Sequence, residues 1–527
     1  MSFTTITFIV FIIFSFSVYY LLPLSFRWIW LLACSYIFYG WSDPTFLLFL
    51  LFSTLTTWLF PIIIGRVNSQ QASVLSSEKG KAITKAQKKE IKIGFQRQKK
   101  LLLFLCLLCN IGLLSFLKYS NFFIGIFNTF GFSIKPLDWL VLPLGISFYI
   151  FQSLGYCIDV YRGVTEPQAN FFKYALYTSF FPQICQGPIG RYNDLAPQLF
   201  KGHCFEYDSF VAGLERMLLG FFKKLVVANR IGLFVDAVFA APWNYSGFII
   251  VLSSIMYAFQ LYADFSGYMD IAIGIGKCFG IRLEENFDTP YFSKSITEFW
   301  RRWHITLGSW FRDYLYYPIL RSKWSANISK YCSKKNRKKI AAPLTTAIGL
   351  ALTWLLIGLW HGPAWKYVLY GVYHGTFIVF AVLLGGTYSK LKNKLHIRES
   401  SRIWNLFQII RTFSIVSLGY VLFRSESLKY ALIAYKQIVF HFISTSTAQD
   451  TLFNNIAFGK FYWILVFFLL LVCFTIELIS VKQNIIQWLN SKKAAVKWPI
   501  LYAFSLAIWL LTDWGITNAG NFLYFKF

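Results

Sequence analysis

From Phe3 to Leu24 the chain carries no charged residue, and apolar blocks of that kind recur along almost its whole length. One water-soluble core cannot absorb so many of them. A bilayer can, because a helix crosses its hydrocarbon layer with about 20 apolar residues. Only 14% of the 527 residues are charged, against about 25% in soluble domains. The expected fold is therefore all-α, a polytopic membrane bundle. The first block lacks a charged leader and is too long for a signal-peptide core, so it reads as a retained first span. Further blocks centre near 28–42, 45–64, 101–117, 139–160, 171–186, 210–226, 247–263, 343–361, 366–386, 403–423, 461–479 and 498–512. Several are short for a straight crossing, which gives about 11–13 spans with the remainder re-entrant or interfacial.

Net charge is +28. In a soluble protein that would suggest nucleic acid; here the charge lies in the loops, where topology explains it and no nucleic-acid partner is expected. Residues 79–100 hold eight Lys, one Arg and one Glu, and 321–339 hold six Lys and two Arg with no acid. Two more basic loops follow, around Lys390–Arg402 and Lys482–Lys497. All four can face the cytoplasm, which would put both termini outside. Recruitment of an anionic lipid is the functional alternative for any one loop. Residues 66–100, the longest polar stretch, read as a helical loop. Without a repeat or a separable polar domain, residues 1–527 are expected to form one membrane domain.

Nine cysteines are present. Cys106 and Cys109 form a C-x-x-C inside an apolar run, with neither a second pair nor clustered histidines, so no metal site is indicated. There is no phosphate loop. Gly274, Gly276 and Gly280 have the wrong spacing for a dinucleotide fingerprint; Ala272, Gly276 and Gly280, at four-residue steps, suit close helix packing.

The informative stretch runs from Ala258 to Leu320. It contains Q-L-Y-A-D-F-S-G-Y-M-D, then E-N-F-D-T-P-Y, then S-I-T-E-F-W-R-R-W-H-I-T-L-G-S-W-F-R-D-Y-L-Y-Y-P. Ser295 and Glu298 have the spacing of a capping box. The predicted helix carries Glu298, Arg301, Arg302 and His304 among Phe299, Trp300 and Trp303. An Arg at mid-bilayer costs about 2.5–3.5 kcal/mol, and each Phe returns only about 0.3–0.6. This helix must lie at the interface or inside the bundle, with Glu298 and Arg302 able to pair. An interfacial helix with snorkelling arginines satisfies the same composition.

The second motif is Gly358-Leu-Trp360-His361-Gly362-Pro363, set between two apolar blocks with no acid nearby. An ionisable residue there is a functional candidate, and neutral imidazole accepts a proton near neutral pH. A buried histidine bonded to a carbonyl at the helix break is the structural alternative. His374 reads as structural; His203, His396 and His441 carry no signal. Since no G-x-S-x-G elbow is present, the pattern suits direct transfer from an activated acyl group to a hydroxyl.

Together, E-F-W-R-R-W-H-I-T-L (298–307) and L-W-H-G (359–362) resemble the membrane-bound O-acyltransferase family, in its bacterial alginate O-acetylation branch. L-P-L-G-I-S-F-Y-I-F-Q (142–152), I-D-V-Y-R-G (158–163), F-F-P-Q-I-C-Q-G-P-I-G-R (180–191) and N-F-L-Y-F-K-F (521–527) extend the resemblance over nearly the whole chain. It implies a helical bundle around a central tunnel, with His361 catalytic at its base and His304 second, nearer the cytoplasmic side. Trp360, Arg301, Arg302, Trp303, Glu298 and Asp264 are the candidates for lining the substrate path. The implied donor is acetyl-CoA or another acyl thioester, with no bound cofactor. The implied acceptor is an extracytoplasmic polysaccharide, reached from the cell membrane with a separate extracytoplasmic acyltransferase as partner. After Tyr314–Pro318 the chain reads Ile-Leu-Arg-Ser-Lys where Gly-Gly-Asn-Arg would be expected, which leaves the acceptor open. D-alanyl or acyl transfer to teichoic acid, peptidoglycan or lipid is the alternative within enzymes. A transporter would spread polar residues over many spans and often show a repeat; neither is visible.

Overall fold

The computed structural model describes residues 1–77, 84–334, 338–443 and 459–512. The closing segment 521–527 lies outside the described residues, as do Lys79, Lys81, Lys335 and Arg337 of the basic loops. The described chain is helical, with one isolated antiparallel bridge between Phe287 and Trp303. Its contacts fall into two units: Met1–Leu214 with Ala272–Glu284, and Glu215–Ile271 with Glu285–Phe527.

The first unit contains α1 (Ile6–Leu21), α2 (Arg27–Gly40), α3 (Phe46–Ser76), α4 (Lys85–Thr129), α5 (Ile146–Arg162) and α6 (Phe171–Ser179). The described parts of the basic segment, up to Ser76 and from Lys85, are helical as expected. Thr84 and Gln87 close a capping box, and Lys99 reaches across to Asn68 at 2.9 Å. Where α3 and α4 pack, the buried Ser53 hydroxyl donates to Asn110 Oδ1 at 2.8 Å, a polar clasp suited to apolar surroundings. Cys106 faces Cys157 of α5 with sulfurs 3.6 Å apart, while Cys109 is partly exposed; the C-x-x-C pair does not share a site.

Ala272 is fully buried and a Cβ on Gly276 would come within 3.0 Å of Leu283, the close packing expected of them, while Gly280 does more than pack. Gly280 has φ +77° and closes a helix end: Ile281 N–H donates to Gly276 C=O at 2.8 Å and Gly280 N–H to Lys277 C=O at 3.0 Å. Such a Schellman end wants glycine.

In the second unit, α7 (Tyr207–Phe221) contributes its last turns and continues through a π-helical stretch, Phe222–Ala228. It packs on α8 (Gly247–Cys278) so closely that a Cβ on Gly220 would sit 2.6 Å from the Gly267 carbonyl oxygen. Successive buried cations then find partners: Lys223 meets Asp270 at 2.8 Å and Lys224 meets Asp264 at 2.6 Å. Arg216 bonds Asp270 at 3.1 Å and Glu285 at 2.5 Å. Charges inside an apolar bundle persist only when paired in this way.

Two short helices follow, α9 (Ile296–Arg302) and α10 (Ile305–Phe311). Then come α11 (Lys323–Lys334), α12 (Lys338–His361), α13 (Trp365–Lys394), α14 (Arg402–Arg424), α15 (Lys460–Ser480) and α16 (Ala494–Leu511). The α12–α13 hairpin closes on glycine. A Cβ on Gly371 would lie 2.4 Å from the Trp354 carbonyl oxygen, and one on Gly358 2.5 Å from that of Tyr367. The small residues let the backbones touch and fix how α12 presents His361.

Among the described residues, eight helices are long and apolar enough to cross a membrane: α3, α4, α8 and α12 to α16. The chain is a multi-pass, all-α membrane protein. The other apolar blocks form shorter pieces. Block 171–186 breaks at Phe180, and 139–160 is helical only from Ile146, in a helix buried along most of its length. A helix wrapped by protein need not match the bilayer, and it is apolar for packing rather than for lipid.

Candidate functional site

Ser295 opens α9 as expected, its hydroxyl accepting from Glu298 N–H at 3.1 Å. Glu298 reaches back to Lys294 N–H at 2.8 Å and pairs with Arg302 at 2.8 Å. The helix does not carry on to His304, and here the sequence reading is corrected. Trp303 is extended, and His304 lies in the left-handed region at φ 48°, a conformation uncommon outside glycine but one that Asn, Asp and His adopt more readily than other residues. The break comes from a neighbouring segment. Phe287 bridges Trp303, Asp288 N–H donates to the Arg302 carbonyl at 3.0 Å, and the Asn286 carbonyl accepts from Ile305 N–H at 3.0 Å. His304 therefore stands at the N-terminus of α10, where no glycine or proline announced it.

The expected break after His361 is present. α12 ends at His361 and Gly362 N–H turns back to the Leu359 carbonyl at 3.1 Å. A Cβ on Gly362 would meet the Tyr367 ring at 2.5 Å. His361 is buried, with Phe423 at 5.2 Å and Tyr370 at 6.0 Å between ring centroids.

The two histidines line one cavity of about 300 Å³. Trp360 touches both, its ring 6.2 Å from His304 and 5.1 Å from His361, and Phe265 stands edge-on to His304 at 4.8 Å. The exposed Arg301 and Arg312 also line the cavity, with Trp300 and Trp354. Arg301 is exposed, whereas His304 is only 3% exposed. The cavity thus runs from accessible guanidinium groups to buried imidazoles. Burial holds the His304 imidazole, which lies outside the eight long helices, well below its ordinary pKa, and neighbouring His361 pushes it the same way. It is neutral at neutral pH and suited to accept a proton or hydrogen bond.

Of the candidate residues, Arg301, Trp303, His304 and His361 share this cavity. Trp360 packs between the two rings. Glu298 and Arg302 instead pair with each other, Arg302 also reaching Thr289 at 3.2 Å. Asp264 is 1% exposed, is bound to Lys224, and is not among the residues that line this cavity. Trp300, Trp354 and Arg312 were missed as lining residues. His374, read as structural, is fully buried against Trp300 at 5.0 Å and Tyr370 at 4.6 Å, directly behind the cavity wall.

Fold and site together define a multi-pass membrane protein with two histidines on one buried cavity. The model of the MBOAT, membrane-bound O-acyltransferase family, matches residues 165–333, a span that includes His304. The probable alginate O-acetylase of Pseudomonas aeruginosa is 34% identical over 417 residues, 78% of this chain and 70% of that protein. The peptidoglycan O-acetyltransferase of Helicobacter pylori is 34% identical over 368 residues, 65% of each chain. The teichoic acid D-alanyltransferase of Bacillus subtilis is 29% identical over 299 residues, 55% of this chain and 71% of that protein. The chain belongs to the membrane-bound O-acyltransferase family and is a membrane O-acyltransferase.

Proposed function

We propose that this enzyme takes an acetyl group from a cytosolic thioester, acetyl-CoA or a carrier-bound equivalent, and passes it toward an extracytoplasmic polysaccharide. The observation that carries the reading is that His304 and His361 line one cavity together with the exposed Arg301 and Arg312. The basic loops would face the cytoplasm, where a thioester donor and its anionic carrier reside. His361 accepts the proton of the attacking hydroxyl, whose oxygen bonds to the thioester carbonyl carbon. The carbon–sulfur bond breaks, and the departing thiolate takes up the proton. Neutral His304, beside it, hydrogen-bonds the reacting groups. Trp360 and Phe265 keep water from competing as the nucleophile. A separate extracytoplasmic acyltransferase would complete delivery to the glycan.

A teichoic acid D-alanyltransferase among the relatives favours a second reading, in which the same step moves an aminoacyl group. The test is the acetyl-ester content of the cell-surface polysaccharide in a deletion strain complemented with wild type or His361→Ala. Loss in the deletion, restored by wild type alone, supports acetyl transfer and the need for His361. Unchanged acetyl ester with loss of D-alanyl ester selects the second reading.

A further inference from the structure

The left-handed turn at His304 poses a problem that the helix it begins does not solve. An N-cap residue normally turns its own side-chain oxygen back onto the N–H of the second or third helical residue. His304 occupies the N-cap position of α10 and makes no such bond. An imidazole that did so would be directed at its own helix and not at the cavity it lines.

The missing cap arrives from another segment. Asn286, fully buried in the connection between α8 and α9, accepts Ile305 N–H on its carbonyl at 3.0 Å. Its Oδ1 accepts Thr306 N–H at 3.0 Å and the Thr306 hydroxyl at 2.6 Å. Ile305 and Thr306 are the first two residues of α10, so Asn286 performs the capping that the N-cap residue would otherwise supply. Its amide is in turn aimed at Met269 Sδ on α8, 3.1 Å away, which ties the cap to a long helix. Next to it, the Phe287–Trp303 bridge and the Asp288 N–H bond to Arg302 hold the other side of the turn.

We propose that Asn286 is a positioning residue for His304: by capping α10 in place of its N-cap, it holds a left-handed backbone that turns the imidazole onto the cavity wall. The inference rests on the reading that His304 takes part in transfer. It predicts that an acceptor oxygen at position 286 is required, whereas a side chain of similar bulk without one is not sufficient.

The experiment uses full-length protein in membrane vesicles from the producing cell. The probe is acetyl-labelled coenzyme A, and rates are normalised to folded protein by size-exclusion chromatography. Asn286→Leu is expected to lower kcat at least tenfold with KM for acetyl-CoA little changed. Asn286→Asp, which keeps an acceptor oxygen, is expected to recover to within a few-fold of wild type. In a His304→Ala background, Asn286→Leu should cause no further fall, since coupled residues do not add. Full kcat per folded molecule in Asn286→Leu overturns the proposal, as do losses that multiply with His304→Ala. If Asn286→Leu does not accumulate, Thr306→Val takes its place. It removes one of the two bonds to Oδ1 and should cost several-fold in kcat, with Thr306→Ser restoring it; equal activity of the two would overturn the assignment. Full activity of His304→Ala alone would instead refute the role of His304, an outcome distinct from failure of the Asn286 variants.

Discussion

Cutting one side of the Lys224–Asp264 pair separates a structural charge from a reactive one. The two groups are 2.6 Å apart with side chains 3% and 1% exposed. At an effective dielectric near 20, that separation gives an attraction of about 6 kcal/mol. Stripping water from each ion costs several kcal/mol, so the intact pair roughly breaks even against well-packed apolar side chains. Removing one partner is different, because the other stays buried without its opposite charge at a cost of about 3–5 kcal/mol. Asp264→Leu and Lys224→Met should each lower the folded fraction sharply, while the double variant should recover most of it. Heating in detergent followed by fluorescence-detected size-exclusion chromatography measures this, with acetyl transfer assayed on the same samples. A single variant as heat-stable as wild type would refute the energetic argument. A double variant that folds but transfers nothing would mean that Asp264 or Lys224 acts on substrate, contrary to its placement here.

Three further outcomes follow from the same structure. His304→Gly relieves the left-handed turn and should be about 1–2 kcal/mol more stable than His304→Ala, with transfer impaired in both; equal melting temperatures would argue against strain at this turn. Gly371→Val drives a side chain into the Trp354 carbonyl oxygen and should destabilise by about 1–3 kcal/mol; an unshifted thermal midpoint would show that the hairpin can open at no cost. Arg301→Ala removes an exposed cation from the cavity lining and should raise KM for acetyl-CoA about tenfold or less while kcat holds; a fall in kcat alone would place Arg301 in the chemical step.

The membrane class, the capping of α9 by Ser295, the Glu298–Arg302 pair and the break after His361 were all legible, because each rests on local spacing. The turn at His304 was not, since residues 286–288 impose it from outside and nothing between Arg302 and Ile305 breaks a helix by itself. The pairing of Asp264 was not legible for a related reason: its partner Lys224 lies 40 positions earlier. A signal for it existed. Lys223 and Lys224 stand inside the apolar block 210–226, where two unpaired cations could not remain, and Asp264 and Asp270 are the acids spaced along α8 to meet them. Arg312 escaped because Asp313 beside it invites a local pairing, which does form at 2.9 Å, while the arginine still lines the cavity.

In the proposed mechanism His361 performs the transfer at a cavity it shares with His304. Purified wild type, His361→Ala and His304→Ala, reconstituted in vesicles with acetyl-labelled coenzyme A, surface polysaccharide and an extract of the producing cell's extracytoplasmic acyltransferases, would be followed for thiol release and for label on the glycan. The expected result is transfer by wild type, none by His361→Ala with donor still bound, and a partial rate from His304→Ala. Wild-type rates from folded His361→Ala would contradict the account.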